Sequence, residues 1–274
     1  MTDFLTLALC FLITLSTHSA LAEAPSWPTG LYSNNEQVWQ AAEDKGEPKP
    51  HWEFVFEPLS HGVSLRMMNQ TKSATHEFLI RHQDASHAII ESNQGECYAD
   101  LTQNPEQPSF FTRLDFDPTP CGWPITGAPG RQTLQLSETS LLTGAISDAK
   151  LDPTFFGRSK GIAARRARLF GGWFVLDESE RDGNAAGRDA VFVRGLSLHT
   201  EGDRNELILP SGESIGIEVE LAQLTYQNTG AAILKLALYR KGESRAFTYV
   251  WTSTDANRIG VNLRWLQVGL SENN

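Results

Sequence analysis

The sequence predicts an all-β fold: an antiparallel β-barrel with a short N-terminal helix and additional C-terminal β-strands. Runs of alternating apolar and polar residues recur along most of the 274-residue chain, and this is the period of a half-buried strand. Gly, Asn, Asp and Pro residues, which favour turns, separate these runs at short intervals. A single stretch, 33–44, carries clear start and stop signals for a helix.

Residues 1–22 are predicted to be a signal peptide. Phe4–Leu15 is a nearly continuous apolar run that is too short to span a bilayer comfortably. Ser19–Ala22 then supplies the A-x-A form of a signal-peptidase site. A retained anchor is the alternative, because no basic residue precedes the apolar run. Cleavage would leave a periplasmic or secreted protein without a membrane span.

The charge of the chain excludes two classes of partner. Its 33 acidic residues outnumber its 23 basic residues, and the formal net charge is -10. Binding to phosphate-rich surfaces depends on positive charge. Neither nucleic acid nor an anionic membrane surface is therefore an expected partner.

The predicted helix at 33–44 opens the mature chain. Ser33 and Glu36 have the spacing of a capping box, in which the hydroxyl and the carboxylate each satisfy a free backbone amide. Asn34 is the alternative cap. Gly46 and the prolines that follow it are expected to end the helix.

The strands that follow are predicted to build a barrel domain over residues 23–175. Their spacing and the turn residues between them are typical of an antiparallel barrel or sandwich. The residues that share the apolar face of each strand are Trp52, Phe54 and Phe56; Val63, Leu65 and Met67; Phe78 and Ile80; and Leu134 and Leu136.

Residues 176–274 show the clearest alternation in the chain. They are expected to form either further strands of the barrel or a small β domain beside it, and no Pro-rich or Ser-rich linker decides between these. Period-two alternation predicts one buried face per strand. The residues assigned to that face are Ile215, Ile217, Val219 and Leu221; Ala232, Leu234, Leu236 and Leu238; Phe247, Tyr249 and Trp251; and Ile259, Val261, Leu263 and Trp265.

Cys97 and Cys121 are the two cysteines that follow the signal peptide. An exported chain with two cysteines is expected to pair them in a disulfide. A catalytic thiol is the alternative, although neither cysteine has a nearby histidine in the sequence. The bridge would anchor the proline-rich stretch 102–130, which is either the border of a binding site or a decorated turn.

Known catalytic motifs are absent or out of context. Gly212–Gly216 reads G-x-S-x-G, but a strand pattern follows it and the last histidine of the chain is His199, whereas the nucleophile elbow needs a helix and a later histidine. His76 opens a near-match to H-E-x-x-H, but the last position is Ile80. No metal site and no catalytic residue can be assigned on this basis.

A basic cluster interrupts this acidic chain at 158–168. Five of its 11 positions are Lys or Arg. Such a cluster can hold a carboxylate or a phosphate. The alternative is a solvated face of a strand or helix.

Four segments resemble the CpcT/CpeT chromophore lyase family. The chain has GLYSNNEQ at 30–37 followed by the strand WEFVFEPL at 52–59, a cysteine pair around a variable loop, RARLFGGW at 166–173 and RIGVNLRWLQVGL at 258–270. The resemblance covers most of the mature chain and is thin in 100–160. It implies a lipocalin-like barrel over 23–175 that attaches a linear tetrapyrrole, a bilin, to cysteine thiols of an acceptor protein.

The resemblance also implies the ligand chemistry. A bilin needs an apolar cavity, cations for its propionates and an acid near its pyrrole nitrogens. A non-catalytic periplasmic binder of a small apolar ligand is the alternative, because export separates the chain from the family's cytoplasmic acceptors. Tyr32 could instead plug the barrel, Asn34 could cap the helix and Arg66 could pair with a surface acid. The candidate ligand-binding residues are Tyr32, Asn34, Gln37, Arg66, Arg81 and Glu91.

Overall fold

The computed structural model describes residues 27–69, 75–103, 111–125, 130–147, 156–177, 179, 190–226 and 229–273. The predicted signal peptide at 1–22 lies outside this part of the chain. So do residues 104–110 and 126–129 of the proline-rich stretch. No helix within the described ranges is long and apolar enough to cross a membrane.

Ten antiparallel strands close into a barrel, which confirms the predicted fold class. Each strand pairs with the next one along the chain, and the first strand closes the ring by pairing with both the second and the tenth. This barrel therefore has two more strands than the eight-stranded barrel of lipocalins. The barrel strands are β1 (Gly30–Ser33), β2 (Trp52–Leu59), β3 (Gly62–Asn69), β4 (Thr75–His82), β5 (His87–Glu91), β6 (Glu96–Gln103), β7 (Phe111–Phe116), β8 (Gln132–Leu136), β9 (Ser140–Ala145) and β10 (Ile162–Arg166).

The inward face of the barrel is lined by large apolar side chains. Alternate residues of a strand point to opposite faces, so Leu65 and Met67 are buried while Arg66 between them is exposed. The inward residues pack into one cluster. Its largest fully buried members are Tyr32, Phe54, Phe56, Leu65, Met67, Ile80, Ile90, Leu114, Phe116 and Leu134.

Helix α1 (Asn35–Glu43) follows β1 directly, and its predicted capping box is wrong. Asn34 is the N-cap residue, but its side chain makes no capping bond. The Ser33 hydroxyl accepts a 3.2 Å hydrogen bond from the Asn35 amide. Glu36 does not reach back to the helix start, because its carboxylate accepts instead from the amide of Thr225 in the C-terminal part of the chain.

Cys97 and Cys121 form the predicted disulfide, with their Cα atoms 5.2 Å apart. Cys97 lies on β6, and Cys121 lies in the segment after β7. The bridge fastens that segment to the barrel wall. Trp123 of the same segment packs against Phe78 at 4.9 Å and Phe116 at 5.2 Å between ring centroids. This part of the proline-rich stretch therefore belongs to the barrel core.

The C-terminal strands form two further four-stranded sheets. Residues of both sheets share one apolar core, so the C-terminal part is a β-sandwich and not additional barrel strands. The domain boundary near 175 stays a prediction; the first sandwich strand begins at Leu169. The strands are β11 (Leu169–Leu176), β12 (Val191–His199), β13 (Glu201–Ile208), β14 (Ser214–Tyr226), β15 (Ala231–Arg240), β16 (Thr248–Thr252), β17 (Arg258–Asn262) and β18 (Leu266–Glu272). Their order is β12-β11-β18-β17 in one sheet and β13-β14-β15-β16 in the other.

Two assignments to the buried face of the sandwich are wrong: the run of Phe247, Tyr249 and Trp251, and Ala232, which is exposed near the start of β15. Tyr249 and Trp251 are 56% and 65% exposed, and Val250 between them packs against the core instead. Strand β17 ends at Asn262, before the end of the predicted run, although Leu263 and Trp265 still pack against the sandwich core. A turn follows there, in which Arg264 has a left-handed backbone with φ of 67°. Alternation marked the strands correctly, but aromatic residues can occupy the outer face.

Candidate functional site

Tyr32 is a core residue of the barrel. Its side chain is fully buried, and its ring meets that of Phe56 edge-on at 5.7 Å between centroids. The hydroxyl donates a 2.8 Å hydrogen bond to the carbonyl of Ser137. Burial raises the pKa of Tyr32 to about 12, although the charge of Arg166 opposes this. These contacts favour the structural role over direct ligand contact, and the binding role stays a prediction.

Asn34 and Gln37 tie the helix to the barrel. The Asn34 amide donates to the carbonyl of Pro50 at 2.9 Å and accepts from the Trp52 amide at 2.7 Å. Gln37 donates to the carbonyl of Gly161 at 2.9 Å, and its oxygen accepts from a backbone amide of β10 at 3.2 Å. Both side chains are fully buried. They connect α1 to the starts of β2 and β10, so their polar atoms are used within the fold.

Arg66, Arg81 and Glu91 lie together on the outer face of neighbouring strands β3, β4 and β5. Arg81 and Glu91 form an ion pair, with 2.5 Å between Nε and Oε1. Arg66 is exposed and stands opposite Glu77 in the β3–β4 register. The structure thus brings three of the six predicted residues to one surface, outside the barrel and not within it. The alternation of Val63, Leu65 and Met67 could have indicated this placement for Arg66.

A groove of about 890 Å³, here called the outer groove, lies on this surface. Ligand pockets commonly have volumes of about 300–1,000 Å³. Arg66 and Glu91 both line the groove, and its other charged residues are Glu57 and Glu77. The remaining lining residues are Ser64, Leu65, Thr75, His76, Phe78, Leu79, Ser92, Asn93, Gln94, Cys121 and Gly122.

A second group of charges, here called the junction cluster, consists of Glu36, Arg165 and Glu201. Both carboxylates are almost completely buried, at 1% and 0% exposure. Arg165 donates from Nε to Glu201 Oε1 at 2.9 Å, and its Nη2 lies 3.7 Å from Glu36 Oε2. The other oxygen of Glu36 accepts from Gln40 at 2.5 Å and from the Thr225 amide at 3.0 Å. The cluster therefore joins the helix, the barrel and the sandwich.

Burial raises the pKa of Glu201 from 4.5 to about 7. The charge of Arg165 opposes this rise, and the nearby carboxylate of Glu36 adds to it. Burial also raises the pKa of Glu36. Two carboxylates share one guanidinium, so the cluster can retain a proton close to neutral pH. Sequence analysis missed it because its three residues lie on distant elements and follow no motif.

Two of the five basic residues in the segment at 158–168 pair with acids of the same chain. Arg168 binds both carboxylate oxygens of Glu272, at 2.8 and 2.5 Å, and donates to the carbonyl of Ala256 at 2.8 Å. Arg165 belongs to the junction cluster. Arg166 is exposed, and its described hydrogen bond, to the carbonyl of Glu138, is a long 3.4 Å. The segment thus stabilises the contact between barrel and sandwich.

Among the described residues, no group of three His, Cys, Asp or Glu side chains is placed to hold a metal ion. Cys97 and Cys121 are joined to each other and offer no thiol. The chemically useful groups of the outer groove are therefore its guanidinium, carboxylate, imidazole and amide side chains.

Comparison of the chain with protein-family models, with curated proteins and with solved structures finds no match.

Proposed function

We propose that the protein binds a linear tetrapyrrole in the outer groove and acts as a chromophore-lyase-like protein on an acceptor cysteine. One observation supports the proposal most. The cation and the acid expected for such a ligand, Arg66 and Glu91, line a single groove of about 890 Å³. The two residues come from different strands, β3 and β5, so the fold is needed to assemble this combination.

The roles follow from the chemistry of the groups. The exposed guanidinium of Arg66 pairs with one propionate, since arginine binds carboxylates through two parallel hydrogen bonds. Glu91 accepts from the pyrrole N–H groups, and Arg81 positions its carboxylate. Glu57 and Glu77 repel a second propionate, which therefore points to solvent.

The transfer step requires no thiol from this chain. The acceptor's cysteine sulfur adds to the exocyclic ethylidene carbon of the bilin, and a C–S bond forms as the C=C double bond is consumed. The thiol proton ends on the ligand, so nothing leaves and no oxidant is needed. The protein's contribution is to hold the ligand extended and to expose that carbon.

Titration of the purified protein with phycocyanobilin, followed by absorbance, tests binding. We expect Arg66→Gln to weaken binding at least about tenfold, which corresponds to the removal of one charged hydrogen bond. Arg131→Gln is the matched control, because Arg131 is an ion-paired arginine elsewhere on the barrel surface. Absence of binding, or equal binding by the Arg66 variant, would contradict the proposal.

A cysteine-containing acceptor peptide then separates the lyase from its alternative. Covalent transfer is recognised as a mass increase of the peptide that persists in denaturant. Transfer that the protein accelerates supports a lyase. Binding without accelerated transfer assigns the protein to non-catalytic binders of small ligands. Its periplasmic location remains a proposal that rests on residues 1–22.

A further inference from the structure

A second groove lies between the barrel and the sandwich, away from the outer groove. It has a volume of about 820 Å³ and is here called the junction groove. Strands β1 and β10, the turn between β8 and β9, and the ends of β11 and β18 form its walls. Its lining residues are Gly30, Leu31, Glu138, Thr139, Ser140, Phe156, Arg165, Arg166, Ala167, Arg168, Leu169, Glu272 and Asn273.

The wall of the junction groove offers apolar surface to solvent. Leu169 is 50% exposed at the first position of β11. Leu31 lies on the outer face of β1, because its neighbour Tyr32 points into the barrel core. Phe156 and Ala167 are half-buried beside them. An acyl chain lying here would remove apolar surface of both partners from water.

The charges of the groove favour an anion. Its lining contains three arginines and two glutamates. Arg165 and Arg168 already bind carboxylates of the chain, Glu201 and Glu272. Arg166 is exposed and makes the long bond to a backbone carbonyl described above. Its guanidinium can therefore take a ligand carboxylate.

We propose that the junction groove binds a single-chain fatty acid. Arg166 pairs with the carboxylate, and the acyl chain lies along Leu31, Phe156 and Leu169. Arg165 and Arg168 lie on either side of Arg166 in the sequence and show how an arginine of this groove binds a carboxylate. Each of them binds a glutamate carboxylate through more than one nitrogen. This site shares no residue with the outer groove, so it does not depend on the proposed tetrapyrrole function.

Binding of dodecanoate below its critical micelle concentration, measured by calorimetry on the full chain, tests the site. We expect Arg166→Gln to weaken binding about 10- to 100-fold, because a charged hydrogen-bonded pair is removed. Arg240→Gln, an exposed arginine at the far end of β15, should bind as the wild type does. Dodecyltrimethylammonium has the same chain with a cationic head and should bind much more weakly.

A second variant examines the apolar wall. Leu169→Gln should also weaken dodecanoate binding. Because Leu169 is exposed, this change should leave the fold intact, and weaker binding would not be caused by unfolding. Equal binding of the anionic and cationic amphiphiles, or an Arg166 variant that binds as the wild type does, would overturn the proposal. Phycocyanobilin affinity should be unaffected in both variants. If it falls in the Arg166 variant and not in the Arg66 variant, the tetrapyrrole lies in the junction groove and both assignments are wrong.

Discussion

Replacing Glu201 by glutamine should change how the stability of the protein depends on pH. Burial raises the pKa of Glu201 from 4.5 to about 7, so the folded state retains a proton that the unfolded state has released. The wild type therefore loses stability as pH rises through this window. The interval from 4.5 to about 7 corresponds to about 3 kcal/mol, because one pKa unit is equivalent to about 1.4 kcal/mol.

Urea unfolding monitored by tryptophan fluorescence at several values of pH across this window measures the effect. Glutamine does not titrate, so the free energy of unfolding of the wild type minus that of the variant should fall by about 3 kcal/mol as pH rises. The glutamine also binds Arg165 more weakly. This lowers the stability of the variant by the same amount at every pH, so it shifts the plot of the stability difference against pH without changing its slope. Glu243→Gln, at an exposed hairpin, measures the same exchange away from the cluster. A difference that stays constant with pH would refute the buried, proton-retaining carboxyl.

Two other variants test the barrel. Replacing Cys97 and Cys121 by alanine should lower the free energy of unfolding by about 3.5 kcal/mol, because the bridge closes a loop of 24 residues. Proteolysis within 102–130 should also increase relative to the C-terminal strands, and an unchanged cleavage pattern would argue against the anchoring role. Asn34→Ala should cost about 2–3 kcal/mol in urea unfolding, more than a cap is worth, because the change removes three hydrogen bonds of a fully buried side chain. Asn35→Ala is its control, and an Asn34 variant that keeps full stability but no longer binds phycocyanobilin would instead make Asn34 a binding residue.

The candidate site could be predicted only in part. Arg66 and Glu91 line the outer groove and Arg81 pairs with Glu91, whereas Tyr32, Asn34 and Gln37 are buried and hydrogen-bonded within the fold. The short family-like motif at 30–37 therefore has a structural explanation in the residues that the structure describes. It joins β1, α1, β2 and β10 through side-chain hydrogen bonds to backbone groups. Such bonds depend on chain segments that are distant in sequence.

Local information in the sequence determined the strands, the helix and the disulfide. Alternation of apolar residues has the period of a strand, and two cysteines in a chain that is predicted to be exported are expected to pair with each other. Tertiary structure alone decided which charges meet. Glu36, Arg165 and Glu201 come together because α1 packs against both the barrel and the sandwich, and their ion pairs span up to 129 positions of the chain. Such contacts depend on strand register and on how whole helices and strands pack, so a short sequence motif cannot predict them.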